Sequence, residues 1–345
     1  MSEKRSEVSQ FGEFGLIKRI SSHVTLQNKS SLVGIGDDAA VISADDKHVI
    51  LLSTDMLVEG IHFDLAYTPI RHLGYKSVAV NVSDIAAMNG QPEQITVSIA
   101  ISNRFSVEAI DELYAGIHAA CENYKVDLVG GDTTSSVSGL IISISILGKA
   151  APEKVAYRSG AKINDIICVT GDLGAAYLGL QVLEREKQAF LADAELQPDL
   201  EKYEYLIGRI LKPEARTDIV YELEELNVKP TAMIDVSDGL ASDVLHISET
   251  SGAGVRIMED RIPIDTSTYE TAIEFNLDPI TCALNGGEDY ELLFTVAQSD
   301  FEKIKNHPDI HTIGFIHADK NQNIMISKQQ TVVPLRAQGW DHFRK

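Results

Sequence analysis

The sequence predicts an α/β protein, α+β in its finer pattern, built as two domains. Three observations predict it. At 345 residues the chain has room for two units of roughly 150 residues each. Apolar residues alternate with period two in some segments and recur every three or four positions in others, and the two kinds of segment take turns along the chain. Acidic residues gather beside Gly, Ser and Thr at the ends of apolar runs, where open α/β sheets bind ligands.

The elements follow in order. HVILLST (48–54) reads as a buried strand, 71–88 as a helix and QITVSIAIS (94–102) as an alternating strand. Residues 106–124 read as an amphipathic helix, with Val107, Ile110, Leu113, Ile117 and Ala120 on its buried face and Ser106 as its N-cap. VDLVGGDTT (126–134) reads as a short strand that runs into a Gly loop. LIISISILGKA (140–150) reads as a strand with Leu140, Ile142, Ile144 and Ile146 on one side. The boundary falls near 150–160, which gives units 1–150 and 151–345. In the second unit DIICVT (165–170) is a strand, GDLG (171–174) a turn, 175–187 a helix and 188–204 a polar surface excursion. Helices are expected at 204–211 and 215–226. TAMID (231–235) is a strand that ends in VSDGL and leads into a helix at about 239–250. GVRIM (254–258), ELLFTV (291–296) and HTIGFI (311–316) read as strands.

The 51 acidic residues outnumber the 30 basic ones and give a net charge of −21. Such a surface repels nucleic acid and anionic membranes. No apolar run reaches the roughly 18 residues of a membrane helix, and MSEKRSEVSQ does not read as a secretory signal. The three cysteines, Cys121, Cys168 and Cys282, form no CxxC pair. That pattern suits a reducing cytosol, so a cytoplasmic protein with no nucleic-acid or membrane partner is expected.

The acids are clustered. GIGDDAAV (34–41), LLSTDMLVEGIHF (51–63), NVSDIAAMNG (81–90), LVGGDTTS (128–135), IDVSDGLASD (234–243) and NGGEDYELLF (285–294) each set Asp or Glu beside small residues. Any one of them reads as a turn or an N-cap. Six together suggest convergence of Asp38, Asp55, Asp84, Asp132, Asp235 and Asp238, whose mutual repulsion then needs a compensating charge. Oxygen-only ligands favour Mg²⁺, Mn²⁺ or Ca²⁺ over Zn²⁺. The P-loop, GxGxxG, EF-hand, HExxH and GxSxG patterns are missing. An acidic many-cation site without a P-loop lysine suits phosphoryl transfer between two anions.

Taken in order, GIGDDAAV, STDMLVEGIHF, AVNVSDIAAMNG, LVGGDTTS, YRSGAK, VTGDLG, IDVSDGLASD and NGGEDYELLFTV resemble the thiamine-monophosphate kinase family, from FGEFGLIKRI (11–20) to GWDHF (339–343). The family belongs to the ATP-binding superfamily of aminoimidazole ribonucleotide synthetase and selenophosphate synthetase. The resemblance implies a synthetase-like fold of two domains. An N-terminal sheet would pair with its twin into a β-barrel across a homodimer, a larger C-terminal α/β domain would follow, and nucleotide would lie between them. It implies direct, in-line transfer of the ATP γ-phosphoryl group to thiamine monophosphate, with several Mg²⁺ ions and ATP as co-substrate. Asp38, Ser53, Thr54, Asp55, Asp84, Asp132, Asp235 and Asp238 match cation ligands, with Asp37 beside them. Asp84, Asp132 and Asp238 carry the catalytic charge stabilisation. Tyr114, Gly131, Asp132, Arg158 and Ser237 match the nucleotide site. His62, Glu288 and Trp340 match the thiamine phosphate site, where an aromatic ring and a carboxylate suit a flat cation.

Asn89 stands where the family commonly has Gly, and Asn tolerates the same positive φ. Two alternatives remain at this level. One is another ATP-dependent synthetase or kinase of the superfamily, although residues 1–36 lack the Cys of a selenophosphate synthetase. The other is a non-catalytic regulator that binds nucleotide or divalent cations, although the acid set is intact.

Overall fold

The computed structural model describes residues 7–338 apart from 194, 196 and 199. Two sheets organise it. The first contains β1 (Ser31–Val33), β2 (Ala40–Ser43), β3 (Val49–Val58), β4 (Gln91–Ile101), β5 (Asp127–Ser135) and β6 (Leu140–Ala150), in the order β1-β2-β3-β6-β4-β5. Only β4 and β5 run parallel, as a strand–helix–strand crossover requires. The second contains β7 (Ile166–Thr170), β8 (Ala232–Asp235), β9 (Gly254–Met258), β10 (Leu292–Val296), β11 (Ile310–His317), β12 (Ile324–Ile326) and β13 (Val332–Pro334), in the order β13-β12-β9-β11-β7-β10-β8. The first half carries helices α1 (Gly12–Ser21), α2 (Ile70–Ala87) and α3 (Val107–Tyr124), of which α2 and α3 pack in the core of the first sheet. The second half carries α4 (Ala175–Ala192), α5 (Glu204–Leu211), α6 (Thr217–Glu225), α7 (Leu240–Ser251), α8 (Thr266–Glu274), α9 (Pro279–Asn285) and α10 (Gln298–Ile304).

Helix α2 joins the halves. Every residue from Leu73 to Ser83 is buried, the pattern of a helix covered on all sides. Its upper part packs in the first core with Leu51, Ile117 and Ile146. Its last turn, Ala86 and Ala87, packs with Cys168, Met233, Leu292 and Phe294 of the second half. Ser106 caps α3 by accepting from the Ala109 N–H. Leu140, Ile142, Ile144 and Ile146 fill one face of β6 at no more than 1 % exposure. Asn89 ends the α2 turn with φ +55°.

Several expectations need correction. Val107 is 73 % exposed rather than buried, and the buried face of α3 begins at Leu113. Residues 126–134 do not open into a Gly loop: β5 continues through both glycines to Ser135, held in register against β4. The helix expected at 175–187 extends to Ala192 and takes the first part of the polar excursion. Apart from these corrections, the first sheet is open within one chain, with β1 and β5 at its edges. Among the described residues no helix is long and apolar enough to cross a membrane.

Phe294 lies fully buried on β10, between β7 and β8. Phe294→Ala should destabilise the protein by about 3–5 kcal/mol, measured by urea unfolding. A loss below about 1 kcal/mol would contradict this packing.

Candidate active site

Strand alternation sets one wall of the site. Ser53 and Asp55 share the face of β3 that carries the buried Leu51 and Leu57, while Thr54 takes the opposite face. On α2, Lys76, Val80 and Asp84 recur every four residues and form one stripe. Asp235 ends β8, and Asp38 sits in the turn before β2. These segments border a cavity of about 1180 Å³.

At one end, carboxylate oxygens of Asp38, Asp84 and Asp235 lie within 4.8 Å of one another. Few groups offset them. Ser53 Oγ donates to Asp84 Oδ2 at 2.5 Å, and Ser83 Oγ donates to Asp235 Oδ2 at 2.6 Å. Arg158 donates through Nε to Asp38 Oδ1 at 3.2 Å and through Nη2 to the same oxygen, while its backbone N–H donates to Asp37 Oδ1 at 3.0 Å. Asp38 Oδ2 is buried without a hydrogen-bond partner. Burial, then the charges of Asp55, Asp235 and Asp38, holds Asp84 well above the usual carboxylate range. Burial and then Glu288 and Asp38 push Asp55 up to about 6. Burial and Asp38 push Asp235 up to about 7, against the Ser83 hydrogen bond and Arg158. Burial and Asp38 push Asp37 up to about 6.

The other end is built by residues 285–291. Because β8 and β10 pair antiparallel, with Asp235 opposite Leu292, the segment entering β10 lies beside the one leaving β8. Three backbone hydrogen bonds lock them: Glu288 N–H to Ser237 O at 2.8 Å, Tyr290 N–H to Val236 O at 2.9 Å and Val236 N–H to Glu291 O at 2.7 Å. The lock forces left-handed backbone at Gly287, Glu288 and Tyr290, with φ of 70°, 60° and 53°. Position 287 must be Gly, since a Cβ there would meet the Ser237 carbonyl oxygen at 2.5 Å. Below, the buried Glu291 carboxylate accepts from Arg209 at 2.8 Å and Arg216 at 2.7 Å. Glu288 lines the cavity and pairs with Lys76. His62 lines it too. Its Nδ1 accepts the Val58 N–H at 2.9 Å, so the neutral ring carries its proton on Nε2.

The structure thus gathers Asp38, Ser53, Asp55, His62, Asp84, Arg158, Asp235, Ser237, Asp238 and Glu288 around one cavity. Of the remaining predicted residues that the structure describes, only Asp37 and Thr54 also line the cavity. Thr54 reaches the wall, but its hydroxyl donates to the Ile144 carbonyl at 2.9 Å. Gly131 and Asp132 stand on the exposed edge strand β5, with Asp132 Oδ1 accepting its neighbour's N–H at 2.9 Å. Tyr114 packs against the first core, its ring 6.3 Å from that of His118. Trp340 lies outside the described residues. Two groups escaped the sequence reading. Lys76 is the one lysine of α2. Asp243, on α7, is held well above the usual range by burial, Asp238 and Asp235, and its Oδ2 lacks a hydrogen-bond partner.

Residues 36–150, which carry most of the first sheet and the acids Asp38, Asp55 and Asp84, match the family "AIR synthase related protein, N-terminal domain". The chain is 34 % identical over 337 residues to the thiamine-monophosphate kinase of Bacillus subtilis (strain 168), covering 96 % of this chain and 99 % of that one. It is 33 % identical over 337 residues to that of Aquifex aeolicus (strain VF5), covering 97 % and 99 %. A solved structure, AaThiL complexed with AMPPCP and TMP, superposes with a TM-score of 0.84 at 31 % identity, covering 99 % of this chain and 100 % of that chain. This chain belongs to the thiamine-monophosphate kinase family.

The crowded carboxylates carry a stability cost. In EDTA, Asp84→Asn should stabilise the fold by on the order of 1 kcal/mol, seen as a raised Tm. A lowered Tm would contradict the reading of Asp84 as a repelled charge.

Proposed function

We propose that this chain transfers the γ-phosphoryl group of ATP to thiamine monophosphate, giving thiamine diphosphate and ADP. The observation that carries the reading is the convergence of Asp38, Asp84 and Asp235, oxygens within 4.8 Å, in a chain of this family. The acceptor's own phosphate oxygen forms the new P–O bond. The bond from the γ-phosphorus to the bridging oxygen of ATP breaks, and ADP leaves with that electron pair. No enzyme nucleophile is needed, because the attacking oxygen is already ionised at neutral pH.

The donor set fits a hard divalent cation. It offers oxygen only, Asp38 Oδ2 is bare, and the acids raise one another's pKa. Mg²⁺ held by Asp38, Ser53, Asp55, Asp84, Asp235 and Asp238 would neutralise charge on the phosphoryl oxygens. Arg158 keeps Asp38 in place and offers its remaining N–H groups to the nucleotide phosphates. Ser237, on the same wall, serves the nucleotide. His62 Nε2–H and Glu288 serve the acceptor, a role we extend to Trp340.

The reading includes a homodimer and a division into units 1–150 and 151–345. The outer face of the first sheet exposes Leu52, Met56 and Leu147, and the edge strand β5 exposes Val129. An uncovered apolar face beside an open edge favours a second copy. Gly131 and Asp132 then take their nucleotide and cation roles in the assembled pair, as does Tyr114. The three cysteines are free and buried, which favours a reducing cytoplasm.

Purified protein with Mg²⁺ and ATP should form ADP and thiamine diphosphate in equal amounts only when thiamine monophosphate is added. ADP formed without thiamine diphosphate would overturn the acceptor. Asp84→Asn should lower kcat by roughly 100-fold or more, and an unimpaired variant would remove Asp84 from the chemistry. Sedimentation should give twice the chain mass, and a monomer that retains full activity would contradict the shared site.

A further inference from the structure

The cavity wall carries a cation that none of these roles uses. Lys76 is 3 % exposed and stands two turns before Asp84 on the same stripe of α2. Its Nζ donates to the Ile210 carbonyl at 3.1 Å and pairs with Glu288. Ile210 lies in the last turn of α5, where carbonyls lack partners within the helix and the dipole is negative. A buried ammonium is costly unless it is paired and hydrogen-bonded, and these two acceptors meet both conditions. The other basic residues that line the cavity are committed elsewhere, Arg158 to Asp38 and Lys187 to Asp64.

The two members of the pair differ in access. The Glu288 side chain is 31 % exposed and the Lys76 side chain 4 %. A ligand in the cavity therefore meets the carboxylate, with the ammonium behind it. Glu288 is also the member that needs support. Its backbone is held left-handed, its side chain has three rotatable bonds, and its charge acts on the buried Asp55. Without an opposite charge, repulsion from Asp55 would swing the carboxylate away from the acid end.

We propose that Lys76 is a positioning residue for the acceptor: it fixes the Glu288 carboxylate where a flat cationic ring system, such as the thiazolium of thiamine monophosphate, docks. The inference rests on the proposed acceptor site, and it gives the buried lysine a function in binding rather than in folding. It predicts that Lys76 affects the acceptor, through Glu288, and leaves nucleotide binding alone.

A double-mutant cycle tests it, with steady-state kinetics of wild type, Lys76→Met, Glu288→Gln and the double variant. Lys76→Met should raise KM for thiamine monophosphate roughly tenfold or more while KM for ATP stays within about twofold. In the Glu288→Gln background the same substitution should change the acceptor KM by no more than about twofold. Equal factors in both backgrounds, a parallel rise in both KM values, or no change would each overturn the proposal. If circular dichroism shows Lys76→Met unfolded, Lys76→Gln, which also removes the charge but keeps a hydrogen-bond donor for the Ile210 carbonyl, replaces it in the cycle, and the same split between acceptor and ATP decides. Wild-type protein that forms no thiamine diphosphate would overturn the proposed reaction and this inference with it.

Discussion

Repulsion between buried carboxylates is the constraint on which the rest of the structure depends. Asp38, Asp84 and Asp235 come from a turn, a helix and a strand end that lie far apart in sequence. Left to themselves these groups would separate or neutralise. They stay together because each is carried by an element that packing has already fixed. Helix α2 cannot shift to relieve Asp84, since it is buried from Leu73 to Ser83 and its last turn packs into two cores, Ile85 into the first and Ala86 and Ala87 into another. Strand β8 cannot shift to relieve Asp235, since β10 and the backbone of residues 288–291 hold it. Packing energy spread over two cores thus offsets a local electrostatic cost.

The same pairing of β8 with β10 links the two ends of the cavity. Residues 236–238 belong to the acid end, residues 288–291 to the acceptor end, and three backbone hydrogen bonds join them. The Glu291 carboxylate, clamped by Arg209 and Arg216, secures the joint from below. Phosphoryl transfer depends on alignment more than on covalent help from the protein. A rigid joint that fixes the acceptor carboxylate relative to the cation-binding acids meets that need, and it accounts for three left-handed residues in one short segment.

Much of the fold was legible in the sequence. Long amphipathic or alternating segments, such as 71–88, 106–124 and 140–150, correspond to α2, α3 and β6 within a residue or two, because hydrophobic period dominates where an element spans several turns. Short elements such as β1, β12, β13 and α10 carry too few residues to show a period. Strand β5 was misread because two adjacent glycines signal a loop, whereas here a Cβ at Gly131 would meet the Val97 carbonyl oxygen at 1.9 Å and glycine lets neighbouring strands approach. Within the site, the acid clusters were legible one by one, but their expected place at strand ends holds only for Asp235: Asp55 lies inside β3, Asp132 inside β5 and Asp84 on α2, because an apolar run before an acid does not by itself separate strand from helix. Lys76 was not legible, because its meaning depends on Glu288, more than two hundred positions away, and a lone lysine in a helix has no local signature. Gly131 and Asp132 are present in the sequence pattern but stand apart from the cavity of a single chain.

The most direct test of the central claim is a titration of the metal-free protein with Mn²⁺, followed by electron paramagnetic resonance, for wild type and Asp38→Asn. Asp38 supplies the one buried cluster oxygen without a hydrogen-bond partner, and Arg158 holds it in place from the other oxygen. Saturable binding by the wild type, weakened by roughly tenfold or more in Asp38→Asn, is the result predicted. Identical titrations for the two proteins would contradict the account of this cluster as a cation site.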